Sequence, residues 1–195
     1  MSALTILIIR HAEKPTKPPA PDLGSGVSQT GDQDDQSLVV RGWQRAGTWA
    51  ALFASGAFGP DYPKPDLIYA ASPDKPAPGD DVASRRPYET IIPLSARLHF
   101  DPVVDFGVGQ EKDLVKAVNG QTGTVLIAWE HKNIISGILP ALAGKQANLQ
   151  LPTKWRGDRF DVVLRFDRVQ SGAQWTFRQF FPMLLLDDSD VPLKD

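Results

Sequence analysis

The chain has 195 residues, 42% of them hydrophobic, enough for one sizeable core and for one domain over 1–195. Its 21 basic and 23 acidic residues leave a formal net charge of -2, which excludes any general attraction to nucleic acid or an anionic membrane. Cysteine is absent, which removes disulfides, thiol chemistry and Cys-type zinc sites.

Leu4–Ile9 is a short apolar run with no basic residue ahead of it, and it ends at Arg10-His11. It lacks the basic start, the longer apolar stretch and the cleavage site of a signal peptide. No stretch approaches the length of a membrane-spanning helix. The expectation is a soluble cytoplasmic protein with Leu4–Arg10 as a buried central strand, apolar on both faces. Pro15–Ser37 follows, rich in Pro, Gly, Ser, Asp and Gln and without periodicity, which reads as a long surface loop. Val39, Trp43, Ala46, Ala50 and Phe53 then fall on one face of a helix.

Leu67–Ala71 reads as a second strand, and a second Pro/Gly/Asp-rich insertion runs behind it, over 74–84. Ser84 is the expected cap of a helix carrying Arg85 to Arg97, with Pro87 in the first turn. A further helix spans about Gln110–Val118 and stops at Asn119-Gly120. Thr124–Trp129 is a third buried strand, and Ile134–Leu142 a helix strained or ended by Pro140. Toward the end, Phe160, Val162, Leu164 and Phe166 alternate with polar residues, as do Trp175, Phe177 and Gln179. The Gln170–Ala173 turn between them predicts a hairpin on the sheet edge. The βα rhythm predicts a three-layer α/β/α sandwich, mostly parallel, with an antiparallel edge hairpin.

In open α/β sheets ligands bind beyond the carboxyl ends of the strands. Strand one ends in Arg10-His11-Ala12-Glu13-Lys14, the second at Ser72 with Arg85 and Arg86 after its insertion, and the third in Trp129-Glu130-His131. Two of the three histidines therefore sit at strand ends. The third, His99, follows a helix and reads as structural.

These segments resemble the histidine phosphatase, or phosphoglycerate mutase-like, superfamily. Arg10-His11-Ala12-Glu13 is similar to its Arg-His-Gly-Glu motif, and Leu38, Gly42, Arg45 and Ala46 suit the helix after it. Ser72 with Arg86-Pro87-Tyr88-Glu89-Thr90 resembles its Ser…Arg-x-x-Glu-Thr block, and Val125–His131 its strand and second histidine. The resemblance runs to about Leu142. It implies a phosphomonoester hydrolase that passes the phosphoryl group through His11 to water, with no metal and no cofactor. Arg10, Arg86 and His131 would bind the phosphoryl group, since guanidinium groups pair with phosphate through parallel hydrogen bonds. Arg86 keeps the spacing to Glu89-Thr90 that Arg85 does not. Glu13, Ser72 and Arg85 are accessory candidates. For the proton donor, Glu130 ranks ahead of Glu13, Asp105 and Glu111, although neighbours on a strand point to opposite faces. The insertion between Ser72 and Arg86, Val39 after Leu38 and Trp129-Glu130 before the second histidine depart from the family pattern.

Other motifs fail on spacing. Asp32–Asp35 lacks the Gly and Glu of a calcium loop, standing before Ser37 and Trp43 instead. Gly107-Val108-Gly109 has no third glycine at the dinucleotide spacing, and no Gly-x-Ser-x-Gly elbow occurs. The expected partner is a small phosphorylated molecule, with selectivity set by the two loops. A phosphomutase using the same pocket and a non-catalytic module for phosphorylated ligands are the alternatives.

Overall fold

The computed structural model describes residues 3–18 and 22–194. Residues 19–21, part of the loop expected over 15–37, lie outside the described residues. The chain runs β1 (Leu4–Arg10), α1 (Val40–Ser55), β2 (Leu67–Ala70), α2 (Arg86–Leu98), α3 (Glu111–Asn119) and β3 (Gly123–Trp129). After α4 (His131–Asn133), a π-helical turn at Ile134–Ile138 and α5 (Leu139–Ala143), it closes with β4 (Val163–Arg168) and β5 (Thr176–Phe180). The sheet order is β2-β3-β1-β4-β5. β1, β2 and β3 are parallel, and β4 and β5 are antiparallel and form one edge. The architecture is mixed α/β, and the terminal hairpin sits where its alternation predicts.

The two-residue period of the strands divides the core. Leu4, Ile6, Ile8, Tyr69, Val125, Ile127 and Trp129 join Leu114, Val118, Ile134 and Ile138 in one buried cluster. Leu7, Ile9, Ile68, Ala70, Leu126 and Ala128 join Trp49, Phe53, Ile91 and Leu94 in another. Burying each large apolar side chain contributes about 1.5–3 kcal/mol, so strands apolar on both faces are held from both sides.

Three local expectations change. Arg85, not Ser84, is the N-cap of α2, with no side-chain hydrogen bond, and Pro87 leaves one fewer orphan donor in that first turn. The helix expected over Ile134–Leu142 starts earlier and is divided by the π turn. Pro140 lacks an N–H and its ring would meet the Ser136 carbonyl in a regular helix, so the preceding turn widens. Within the first loop, Val27 bridges Gln33, Val27 N–H donates to Leu38 O at 2.8 Å, and Trp43 Nε1 donates to Val27 O. That part of the loop is ordered by hydrogen bonds, which periodicity does not report. Beyond β2, Val103 adds a parallel bridge to Tyr69 and covers that edge. His99 caps α2 in the left-handed region, at φ 59, and is exposed.

Candidate active site

Parallel register brings the strand ends together. Arg10 lies opposite Trp129 and Ala70 opposite Ala128, so His11, Ala71 and Glu130 emerge on one rim. His11 N–H continues the ladder to Trp129 O at 3.0 Å. The His11 ring is buried, and its Nδ1 lies 2.7 Å from the carbonyl oxygen of Ala12. A carbonyl only accepts, so Nδ1 carries the proton and Nε2 keeps its lone pair. Burial, then the Arg10 charge, pushes the imidazolium pKa well below its ordinary 6.5, and Arg86 and Lys14 add to this against the Ala12 carbonyl. His11 is thus a neutral base with one nitrogen fixed and the other available.

Arg10 is fully buried. Its Nη1 donates to the carbonyls of Arg156, Gly157 and Arg159 at 3.1, 3.0 and 2.8 Å, and its guanidinium stacks over Phe160 at 4.0 Å. Burial lowers its pKa to about 9, which leaves it charged at neutral pH. Its Nε and Nη2 are buried without a partner among the described residues, as is Nε of Arg86. Buried donors are nearly always paired, and unpaired donors on the two guanidinium groups whose charges act on His11 suit an anion.

The loop after His11 is held from behind. Ala12 N–H donates to Thr90 Oγ1 at 2.8 Å, and Thr90 Oγ1 donates to Arg86 O at 2.7 Å, which ties the residue after His11 to α2. Glu89 accepts from Ser37 Oγ and Leu38 N–H and so anchors the end of the first loop. Glu13 is buried and accepts from Nε and Nη2 of Arg45, which also grips Asp188. Glu13 is therefore a positioning residue that does not line the pocket. Gly42 packs against the same turn, and a Cβ there would stand 2.5 Å from Glu13 O and 3.0 Å from Leu38 Cβ. Gly42→Ala is expected to destabilise the protein by about 1–3 kcal/mol, as overpacking does, measured by urea denaturation.

A cavity of about 310 Å³ opens beside His11, lined also by Lys14, Lys75, Arg86, Glu130 and Lys132. Arg86 spans to the first loop, its Nη2 donating to Asp35 O. Arg85 points elsewhere: it is exposed, 3.8 Å from Asp34, and lines a separate groove. Ser72 is buried, and its Oγ accepts from Asp74 N–H at 3.3 Å, which shapes the second loop without facing the cavity. His131 stands with its ring centroid 6.4 Å from that of His11.

Of the carboxyl groups expected to supply a proton, Glu111 is committed elsewhere. It accepts from Trp129 Nε1 at 2.9 Å and Gly109 N–H at 2.8 Å, which is how the large Trp129 side chain is accommodated. Asp105 is exposed and outside the cavity lining. Glu130 does line it, and its Oε1 lies 2.7 Å from His131 Nδ1, an approach too oblique to satisfy that N–H fully. Strand alternation does not separate the pair, because the strand has ended at Trp129 and His131 opens a helix. Burial alone would raise the Glu130 pKa, but His131 and the Asn133 and Lys132 N–H groups outweigh it and hold the carboxyl below its usual range. Glu130 is a helix cap and a carboxylate, which is the wrong form for a proton donor.

His11, Glu130 and His131 place donor atoms within 4.8 Å of one another, the residue types that bind zinc. The Arg10, Arg86 and Lys14 charges around them favour an anion over a cation.

The buried guanidinium groups and the fixed imidazole suit the binding of a small oxyanion. No protein-family model matches the chain, and no curated protein sequence matches it. Among solved structures it is similar to the protein histidine phosphatase SixA complexed with tungstate, at 12% identity over 91% of this chain and 97% of that one, with a TM-score of 0.47. A likeness of that extent assigns neither family nor activity. No helix among the described residues is long and apolar enough to cross a membrane.

Proposed function

We propose that the protein is a single-domain, three-layer α/β/α histidine phosphatase that hydrolyses a small phosphomonoester through a phosphohistidine on His11. The observation that carries this reading is the His11 ring, fixed through Nδ1 on Ala12 O, under the charges of Arg10 and Arg86, whose buried donors lack partners among the described residues. Nε2 attacks phosphorus while Arg10 offers its Nε and Nη2 and Arg86 its Nε to the equatorial oxygens, where charge accumulates in a loose transition state. His131, its Nδ1 2.7 Å from Glu130 Oε1 and its ring centroid 6.4 Å from that of His11, stands near the same group. The Ala12–Thr90 and Glu13–Arg45 contacts keep the nucleophile oriented between the two half-reactions. Nothing in this sequence of steps requires a metal.

The test is hydrolysis of 4-nitrophenyl phosphate in EDTA, with quenching to trap an acid-labile, base-stable phosphoenzyme that maps to His11. Failure to form that species from any phosphomonoester would refute the proposal. Arg86→Ala is expected to lower kcat/KM by about 10²–10³, the usual cost of one donor aimed at developing charge. Steady-state kinetics on the purified variant measures it.

A further inference from the structure

Glu130 is held below the usual carboxyl range, Glu111 is committed to Trp129 and Gly109, and Asp80, the other carboxyl group lining the cavity, is exposed on its rim. We propose that Lys14 is the proton donor to the leaving group, an inference that rests on the phosphohistidine reading above. Lys14 follows the anchored His11–Glu13 turn and lines the 310 Å³ cavity together with His11 and Arg86. It also lines a larger open groove of about 790 Å³, which runs along the first loop past Lys17, Asp35 and Gln36. Lys14 thus borders both the phosphoryl pocket and the open groove, along which a leaving group would extend. It is half-buried and forms no hydrogen bond or ion pair with the described residues. Lys75 and Lys132, which line the same cavity, are exposed, whereas Lys14 is half-buried.

The neighbouring charges suit the role. Burial first, then the Arg86 and Arg10 guanidinium groups and Lys132, push the ammonium below its ordinary value, against Glu130, which supports the charge. An acid whose pKa moves toward neutrality gives up its proton more readily. The other cavity groups fit less well. Arg86 does not release a proton, Lys75 donates to Asp105 O, and Asp80 and Lys132 are exposed on the rim.

The steps balance. As His11 Nε2 bonds to phosphorus and the ester P–O bond breaks, the departing oxygen takes a proton from Lys14. The neutral amine then removes a proton from the water that attacks the phosphohistidine. Inorganic phosphate leaves, with His11 and the ammonium restored.

Substituted aryl phosphates test this, because a good leaving group needs little protonation. In Lys14→Met, kcat/KM for phenyl phosphate is expected to fall about 10²-fold further than for 4-nitrophenyl phosphate, within the usual range for general acid catalysis. Lys14→Arg keeps the charge but not the removable proton. It should show the same steepened leaving-group dependence with a KM closer to wild type. An equal loss for both esters in Lys14→Met, or normal leaving-group dependence in Lys14→Arg, would reduce Lys14 to an electrostatic contact and overturn the inference. Trapping on His11 in the wild-type protein separates the two claims. A phosphoenzyme with unchanged leaving-group dependence defeats the lysine alone, whereas no phosphoenzyme defeats both.

Discussion

His11→Ala is expected to lower turnover of 4-nitrophenyl phosphate by about 10⁴-fold or more, the scale on which loss of an enzymatic nucleophile acts. No other side chain lining the cavity is a neutral nitrogen nucleophile: Lys14, Lys75 and Lys132 are ammonium groups, and Arg86 is a guanidinium. The variant should keep its fold, because the backbone bond from residue 11 to Trp129 O survives and Thr90 still holds Ala12. Circular dichroism and trapping of labelled phosphoenzyme check both halves, and a variant that still turns over would remove His11 from the reaction. The pH dependence has a definite sign. Burial and the Arg10 charge pull the His11 pKa well below 6.5, so wild-type activity should persist under mildly acidic conditions in which an ordinary histidine is protonated and inert. Stability moves the other way. Below about pH 6.5 the unfolded chain protonates this histidine while the folded one does not, so the folded wild type loses stability relative to His11→Ala as pH falls.

Arg45→Met is expected to cost about 3–5 kcal/mol, the penalty for leaving buried carboxylates without their cation. The side chains of Arg45, Glu13 and Asp188 are 3%, 4% and 3% exposed. Desolvation works against the Arg45 charge, but hydrogen bonds to Asp188 and Glu13 outweigh it and hold the guanidinium charged. Asp188 in turn accepts from Leu184 and Leu185 N–H, so one guanidinium joins the nucleophile loop, α1 and the segment after β5. The melting temperature should drop by on the order of 10 °C, given how a domain of this size responds per kcal/mol. Adding Glu13→Gln and Asp188→Asn to Arg45→Met should recover part of the loss, because the orphaned charges go with them. A melting curve unchanged in the single variant would show that the cluster is solvated and contributes little.

How much of this was legible beforehand differs from element to element. β1, β3 and the hairpin follow from runs and alternations contained in the segments themselves, and α1 from its apolar spacing. Strand ends in a βα rhythm point to one rim, so the chain itself indicated that His11, Arg86 and His131 would lie near one another. Arg45 carried a signal only as part of a helix pattern, because its partners are 32 and 143 residues away. Lys14 looked like any basic residue on a loop; its half-burial and its lack of partners among the described residues are properties of the folded chain. Ser84 as a cap failed, and the helix expected over Ile134–Leu142, strained or ended by Pro140, starts earlier and carries a π turn, because capping and π turns depend on geometry that residue types leave open.

His11, Arg10, Glu130 and His131 owe their places to local rules: apolar strands, parallel register and the ends at which they stop. What each can do was settled by the folded arrangement. The antiparallel hairpin beside β1 and the carbonyls of residues 156–159 turn Arg10 from a strand-end charge into a buried donor with two free N–H groups. Close packing against Asn133 N–H and His131 makes Glu130 a carboxylate rather than an acid. The division has a physical cause. Hydrophobic periodicity acts over a few neighbouring residues and is written into them. Hydrogen-bond partners and local dielectric are shared between segments more than a hundred residues apart, and exist only once the sheet has brought those segments together.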